Sequence, residues 1–382
     1  MLRDVLRVRP KPAWFATLEA NARTLESEAL ILGAVAFVAG MLVGLMGFWG
    51  RNLSIAGTGS VGEYVAIGSA AVAGLAFLLG RLVLRSPATR RSRTADGLAV
   101  DGARLRWFDI VALAVSFGVI ALLGWIGVAD LFARSFVGAP VYEFPAAMLT
   151  GAAFAVTAYT VFLTAARLTP MLLSAVLAVF LVAGTLASML NSKDPLWWQK
   201  NLSALGVPGD ISGLAFNFTL IIAGALVTII ARYGTATLPF RTPHEVGGRT
   251  AVRFGLVLLG VLLACVGVFP VGGFPLLHNI AAMGMTVVYA ALVIALPRLV
   301  RVMPTVFLGL GFVFAAVVVL LGVLFAFGYY NLTAVELVAG ALIFSWIILF
   351  LRSVGTLQPQ STSEAGPGEG TGAMRAHKES PT

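Results

Sequence analysis

Few side chains in this sequence could pair for acid–base chemistry, and the candidates are two carboxylates within residues 191–212 and one histidine. That segment contains Asp194 and Asp210, and His278 follows later in the chain. A histidine beside a carboxylate is a pairing suited to general acid–base catalysis. The sequence puts no nucleophile beside this pairing, because we interpret Ser203 as a residue that caps a helix. Catalysis is therefore disfavoured, and we assign no catalytic residues.

The sequence also lacks the pattern of a metal or cofactor site. A haem held by two histidines would need a second histidine near His278, but His244 and His377 lie in polar regions of the chain. Zinc requires a cluster of Cys, His or carboxylate ligands at a suitable spacing. Cys265 is the single cysteine, so a disulfide within one chain is excluded. We expect no bound metal and no cofactor.

The composition is that of an integral membrane protein. Hydrophobic residues make up 59% of the 382 residues and charged residues 11%, and no water-soluble fold could bury so much apolar surface. A helix needs about 20 apolar residues to cross the hydrocarbon core. Ten stretches approach this length, near residues 30–49, 61–84, 108–133, 145–166, 170–190, 212–232, 252–270, 277–297, 304–328 and 333–351. The sequence therefore predicts an all-α integral membrane protein with about ten transmembrane helices.

The basic residues predict which side of the membrane each loop faces. Lys and Arg are retained in the cytoplasm when loops are short. With the amino terminus in the cytoplasm, the outer side receives just four of the 26 basic residues, namely Arg51, Arg134, Lys193 and Lys200. An even number of spans puts the carboxyl terminus in the cytoplasm as well. Because the Ala, Val, Gly and Arg bias is typical of a GC-rich bacterium, we expect a multi-pass protein of the bacterial plasma (inner) membrane.

The net charge of +9 does not indicate a nucleic-acid-binding protein. The basic residues are spread over several membrane-edge loops, and they match no nucleic-acid-binding motif. The most basic loop, residues 85–107, is expected to lie against anionic headgroups, where each basic residue adds roughly 1 kcal/mol of attraction. The expected partners are membrane lipids, with another membrane protein as an alternative, and no nucleic acid.

Short motifs recur between the predicted spans. The triplet NLS at residues 52–54 returns at residues 201–203, and NLT follows at residues 331–333. We interpret this as a parallel tandem repeat in which a four-helix unit is used twice and then truncated to two helices. The predicted domains are a basic cytoplasmic leader (1–29), the first repeat (30–166), the second repeat (167–301), the last two helices (302–352) and a disordered cytoplasmic tail (353–382).

The repeated triplets lie near the outer starts of the even-numbered spans. Asn and Ser side chains there are interpreted as helix caps, because an unpaired backbone N–H is costly in lipid. Glu63, Asp210 and Glu336 lie near the same ends, where acidic residues complement the helix dipole.

The second copy carries more polar residues than the first and provides our candidate pocket. Intramembrane polar groups usually face a bundle interior, which favours an outward-facing polar pocket formed by Asp194, Trp198, Lys200, Asn201, Asn217, His278 and Asn279. The structural alternative for His278 is a helix-end residue that hydrogen-bonds loop carbonyls. The sequence leaves both interpretations open.

Three segments of the chain resemble a known family. They are residues 201–206 (NLSALG), residues 216–224 (FNFTLIIAG) and residues 266–270 (VGVFP), with His278 and Ala282 following. In order and spacing they are similar to the bacterial and archaeal multi-pass membrane proteins catalogued as domain of unknown function 998, over spans five to ten. The family often has an acidic residue after its serine, where this chain has Ala204. The resemblance implies a lipid-linked or regulatory role, through a relation to eukaryotic membrane proteins of the autophagy-modulator type, and it brings no catalytic residues.

These observations predict a non-enzymatic multi-pass membrane protein that binds a lipid or small amphiphile at an outward-facing polar pocket. The alternatives are a scaffold or assembly subunit of a membrane complex and a facilitated transporter, with an enzyme less favoured than either.

Overall fold

The computed structural model describes residues 13–51, 53–83, 105–139, 141–209, 211–236 and 243–356. These residues form helices and connecting loops, with no strand among them. The helices are α1 (Ala13–Phe48), α2 (Val61–Val83), α3 (Trp107–Ser135), α4 (Glu143–Ala166), α5 (Pro170–Leu190), α6 (Ile211–Ala236), α7 (Pro243–Val268), α8 (Pro275–Leu299), α9 (Thr305–Ala326) and α10 (Leu332–Thr356). In this part of the chain, ten helices are long and apolar enough to cross a membrane. The prediction of an all-α multi-pass membrane protein is confirmed.

Two helices begin well before the spans that hydropathy indicated. The seventh span was expected over 252–270, whereas α7 begins at Pro243, and proline suits the first turn of a helix. The first span was expected from residue 30, whereas α1 begins at Ala13, inside the predicted leader. Hydropathy marks the apolar part of a helix, and a helix continues into polar residues where its backbone bonds are still favourable. The remainder of the leader, most of the 85–107 loop and nearly all of the predicted tail lie outside the described residues.

In the first four helices, α4 packs against both α1 and α2, and α2 packs against α3. Gly40 and Gly44 on α1 face α4. A Cβ at Gly44 would lie 2.8 Å from the Cα of Ala147, and one at Gly40 would lie 3.0 Å from the Cα of Gly151. Small residues at this spacing let two membrane helices approach closely, so the pair explains the α1–α4 contact.

The next four helices pack in chain order, α5 on α6, α6 on α7 and α7 on α8. Glycines again allow a close approach, since a Cβ at Gly224 of α6 would lie 2.4 Å from the carbonyl oxygen of Gly260 on α7. Helix α10 packs against α5 and α9, and α3 joins the first four helices to α5 and α6.

The helix pairs of the two predicted repeats correspond only in part, because α6–α7 is the equivalent of α2–α3 whereas α1–α4 and α7–α8 have no equivalent among the main contacts. The main contacts of the first block are α1 with α4 and α2 with α3, while those of the second block are α6 with α7 and α7 with α8. A duplication that preserved its packing would give equivalent pairs in both blocks. The tandem repeat therefore stays a prediction from the sequence motifs.

Contacts near the ends of the membrane spans mark the two ends of the protein. At one end, the backbone N–H of Gly50 donates to Glu143 at the start of α4 over 2.7 Å. At the other end, Glu26 of α1 accepts a hydrogen bond from Tyr159 and lies 3.7 Å from Arg167, just beyond α4. The first end carries the loops predicted to be outside, and the second carries those predicted to be inside.

Candidate functional site at the α5–α6 connection

The connection between α5 and α6 is a folded segment with two short 3-10 turns, Trp197–Gln199 and Leu202–Gly206. Asp194 organises its first half. One carboxylate oxygen accepts from the backbone N–H of Leu196 and the other from Lys200 Nζ, both over 2.9 Å. The hydrogen bond from the Lys200 ammonium, followed by that from the Leu196 amide, holds the pKa of Asp194 below its usual value. The carboxylate is therefore ionised at neutral pH.

His278 connects α8 to the second 3-10 turn through a side-chain hydrogen bond. Its Nδ1 lies 2.9 Å from the carbonyl oxygen of Phe269, and its Nε2 lies 2.9 Å from Ser203 Oγ. Because a carbonyl only accepts, Nδ1 carries the proton, and in the neutral imidazole Nε2 is the acceptor for the Ser203 hydroxyl. His278 is 3% exposed, whereas Ser203 is half-buried.

Asn217 connects α6 to the same 3-10 turn through a side-chain hydrogen bond. Its side-chain amide donates to the carbonyl oxygen of Gly206 over 2.8 Å. A Cβ at Gly206 would lie 2.6 Å from Asn217 Oδ1, so glycine is needed for this approach. Ser188 and Ser212 link α5 to α6 nearby, because the hydroxyl of each donates to the backbone carbonyl oxygen of the other.

Helix α10 supports the connection from a third direction. Asn331 donates from its side chain to the carbonyl oxygen of Trp198 over 3.0 Å, and it caps α10 by accepting from the N–H of Ala334. Glu336 accepts from the backbone N–H groups of Leu202 and Ser203. The segment is thus tied to α6, α8 and α10 by side chains that are distant in sequence.

The residues of the predicted pocket have different positions around this segment. Asn217 and His278 both reach the second 3-10 turn, and their hydrogen bonds end on loop atoms. Asp194 and Lys200 pair with each other in the first half, and Trp198 contributes its carbonyl oxygen. Asn201 precedes the second turn, where its Oδ1 is buried and accepts no hydrogen bond from the described residues. Asn279 is exposed on α8.

The structural interpretation of His278, as a helix-end residue bonded to a loop carbonyl, is confirmed by its bond to Phe269.

The interpretation of two residues as caps was wrong. Asn201 makes no capping hydrogen bond, and Ser203 bonds to His278 instead. The statement that no nucleophile lies beside His278 is therefore wrong as well. The capping prediction is confirmed at Asn331. Residue 52 of the first triplet and Asp210 lie outside the described residues.

An open depression of 510 Å³ lies beside the connection, and sequence reasoning did not identify it. It is lined by Asn191, Lys193, Gly209, Ile211 and Leu214. Ile211 and Leu214 belong to α6 and are largely exposed, so they present an apolar surface directly below the polar residues. Lys193 has no acidic partner in the described part of the chain, in contrast to Lys200.

Among the residues that the structure describes, no three His, Cys, Asp or Glu side chains lie close enough together to hold a metal ion. Comparisons with protein-family models, curated proteins and solved structures found no match for this chain. The fold and the site therefore define the class of protein: a multi-pass α-helical membrane protein with a folded connection held at one end of its helices.

Proposed function

We propose that this protein lies in a bacterial inner membrane with both termini in the cytoplasm and binds a lipid or small amphiphile with an anionic headgroup at its outer face. The binding surface in this proposal is the depression beside the α5–α6 connection. The observation that carries the proposal is the junction of a basic and an amide side chain, Lys193 and Asn191, with the exposed apolar residues Ile211 and Leu214.

This arrangement matches the chemistry of an amphiphile. A phosphate or carboxylate headgroup pairs with the ammonium of Lys193, and its hydrocarbon chain lies along Ile211 and Leu214 on the lipid-facing side of α6. Trp198, which is partly exposed in the same connection, suits the level of the headgroups, where tryptophan is enriched.

The charge distribution selects Lys193 over Lys200 as the residue that meets the headgroup. The ammonium of Lys200 is paired with Asp194, so a bound anion would compete with that carboxylate. Lys193 has no such competitor among the described side chains. In this proposal Asn217 and His278 act indirectly, because they keep the connection folded and so hold Lys193 above α6.

The test is lipid binding by the full-length protein in detergent, with native mass spectrometry as the readout. One basic residue near a membrane surface is worth about 1 kcal/mol, about fivefold in affinity. We therefore expect Lys193→Gln to lower the occupancy of phosphatidylglycerol about fivefold, with phosphatidylcholine binding unchanged. Lys200→Gln is the matched control and should retain the lipid preference. Equal phosphatidylglycerol occupancy in wild type and Lys193→Gln would contradict the proposal.

A second candidate, a subunit that docks another membrane protein, is favoured by the exposure of α9. The buried residues of this helix are Phe307 and Gly311, while Val313, Val319 and Leu320 are exposed. A photoreactive side chain at Val319 should then form a discrete protein crosslink in native membranes. Crosslinks to lipid alone would remove this candidate.

A further inference from the structure

Ser203 and His278 have the geometry of a nucleophile and its general base. The 2.9 Å contact joins the serine hydroxyl to Nε2 of the imidazole. A reactive serine needs a base within hydrogen-bond reach and a third group that orients the base. The carbonyl oxygen of Phe269 is that third group, since it accepts from the other ring nitrogen over 2.9 Å.

The hydrogen bond to Phe269 fixes the tautomer that the chemistry requires. With its proton on Nδ1, the neutral ring presents the lone pair of Nε2 to Ser203. When Nε2 takes a proton, the Phe269 carbonyl still accepts from Nδ1 and stabilises the imidazolium. In the Ser-His-Asp triad a carboxylate has this role, and here a neutral acceptor takes its place.

His278 and Ser203 also differ in solvent exposure, as expected for a buried general base and an accessible nucleophile. His278 is buried, which shields the base from water, whereas the Ser203 side of the pair reaches the surface of the connection. Glu336 fixes the backbone of the turn by accepting from the N–H groups of Leu202 and Ser203. Ser203 is thus held at its hydroxyl by His278 and at its backbone N–H by Glu336.

We propose that Ser203 is an acyl-accepting nucleophile and His278 its general base, acting on a carboxylic ester of an amphiphile at the outer membrane surface. Ser203 Oγ attacks the ester carbonyl carbon while its proton passes to His278 Nε2. The carbon–oxygen bond to the alcohol then breaks, and the departing alcohol takes the proton from His278. Water attacks the acyl-serine, His278 takes a proton from that water, and the proton returns to Ser203 Oγ as the acid leaves. The net reaction converts ester and water to acid and alcohol.

This activity goes beyond binding at Lys193, because it depends on a different pair of side chains. Failure of one proposal leaves the other intact, since phosphatidylglycerol occupancy reports on Lys193 and covalent labelling reports on Ser203.

The chain supplies its own matched control. Ser54 occupies the equivalent position in the first NLS triplet and is exposed, but no histidine occurs in the first predicted repeat. Exposure alone would make Ser54 at least as reactive as Ser203. Activation by His278 would make Ser203 the more reactive of the two.

The test treats the folded, full-length protein with an alkyl fluorophosphonate, which modifies activated serines, and maps the labelled peptide by mass spectrometry. A general base contributes about 10²–10⁴-fold, so we expect labelling of Ser203 to exceed that of Ser54 at least about a hundredfold. Ser203→Ala should abolish the label, and Ser54→Ala should leave it unchanged. His278→Gln should slow labelling by a similar factor, with folding checked by thermal unfolding.

The comparison of Ser203 with Ser54 in the wild-type protein does not depend on whether His278→Gln folds. Labelling of Ser203 and Ser54 at equal rates, or of neither residue in the folded protein, would overturn the proposal. Equal rates of 4-nitrophenyl butyrate hydrolysis by wild type and Ser203→Ala would also overturn it.

Discussion

The carboxylate of Asp109 on α3 is paired with the guanidinium of Arg232 on α6, at the end of the helices opposite the α5–α6 connection. The Asp109 side chain is fully buried and that of Arg232 is 14% exposed. Asp109 also accepts from the backbone N–H of Arg106 over 2.7 Å, and the guanidinium lies over the ring of Phe108, 5.2 Å from its centroid. This pair joins the first four helices to the rest of the protein.

Asp109→Asn should destabilise the protein strongly, because it leaves the buried guanidinium of Arg232 without its counter-charge. Removal of one partner of a buried ion pair costs about 3–5 kcal/mol. The measurement is the free energy of unfolding by sodium dodecyl sulfate in mild detergent. Asp130→Asn is the matched control, because Asp130 and Arg134 form a pair on α3 whose side chains are 55% and 78% exposed, and such pairs contribute at most about 1 kcal/mol. Equal losses in the two variants would show that the buried pair has no special role.

Gly224→Ala should loosen the contact between α6 and α7. The new Cβ would lie 2.4 Å from the carbonyl oxygen of Gly260, so the two backbones must separate, at a cost of about 1–3 kcal/mol. Gly322→Ala on α9 is the control, because its Cβ would meet no atom within 4 Å. That variant should be neutral or more stable by about 0.5–1 kcal/mol, since alanine is the better helix former. Unfolding in the same detergent distinguishes the two, and an unchanged Gly224→Ala protein would contradict the close packing.

His278→Leu should destabilise the end of the bundle that carries the α5–α6 connection. The variant leaves the Phe269 carbonyl and the Ser203 hydroxyl without their partner, and an unsatisfied buried polar group costs about 1–3 kcal/mol. Asn279→Leu, one residue further along α8 and exposed, should change stability by less than about 0.5 kcal/mol. The thermal unfolding midpoints of the two variants provide the comparison. A loss in Asn279→Leu that matched the loss in His278→Leu would refute the assigned contacts.

The first half of the α5–α6 connection should lose its order at acid pH. The pKa of Asp194 is depressed in the folded protein, so its contribution is fully present above the unfolded value of about 3.9 and is lost as pH falls through the lower folded value. Trp197 and Trp198 are two of the seven tryptophans, and their contribution to the fluorescence should therefore be constant from neutral pH to about pH 5 and change below about pH 4. Asp194→Asn should show the acid spectrum already at pH 7. A wild-type spectrum that changed between pH 5 and 7 would contradict the assignment to Asp194.

Hydropathy and charge were sufficient to predict the number of helices, because spanning a membrane requires a length and an apolarity that can be read locally. They could not predict the start of α7 at Pro243, since the polar residues before the apolar run are compatible with either a loop or a helix. They also could not predict helix pairing, which depends on where small residues such as Gly224 and Gly260 meet.

The candidate site was predicted in part for a similar reason. The sequence indicated that polar residues gather near the α5–α6 connection, and His278 and Asn217 do meet there. The partners were missed because they are distant in the chain: 75 residues separate Ser203 from His278, and 134 separate Leu202 from Glu336. Ser203 matched a local capping pattern, and nothing local showed that a histidine would compete for its hydroxyl.

Lipid binding at Lys193 and ester cleavage at Ser203 both require the α5–α6 connection to face the outside of the cell. Because Cys265 is the single cysteine, a Cys265→Ala background allows one new thiol at a time to be tested with a membrane-impermeant maleimide on intact cells. We expect labelling of Lys193→Cys without lysis. Arg301→Cys, in the exposed connection between α8 and α9, should be labelled only after lysis. Labelling of Arg301→Cys on intact cells together with protection of Lys193→Cys would contradict the account.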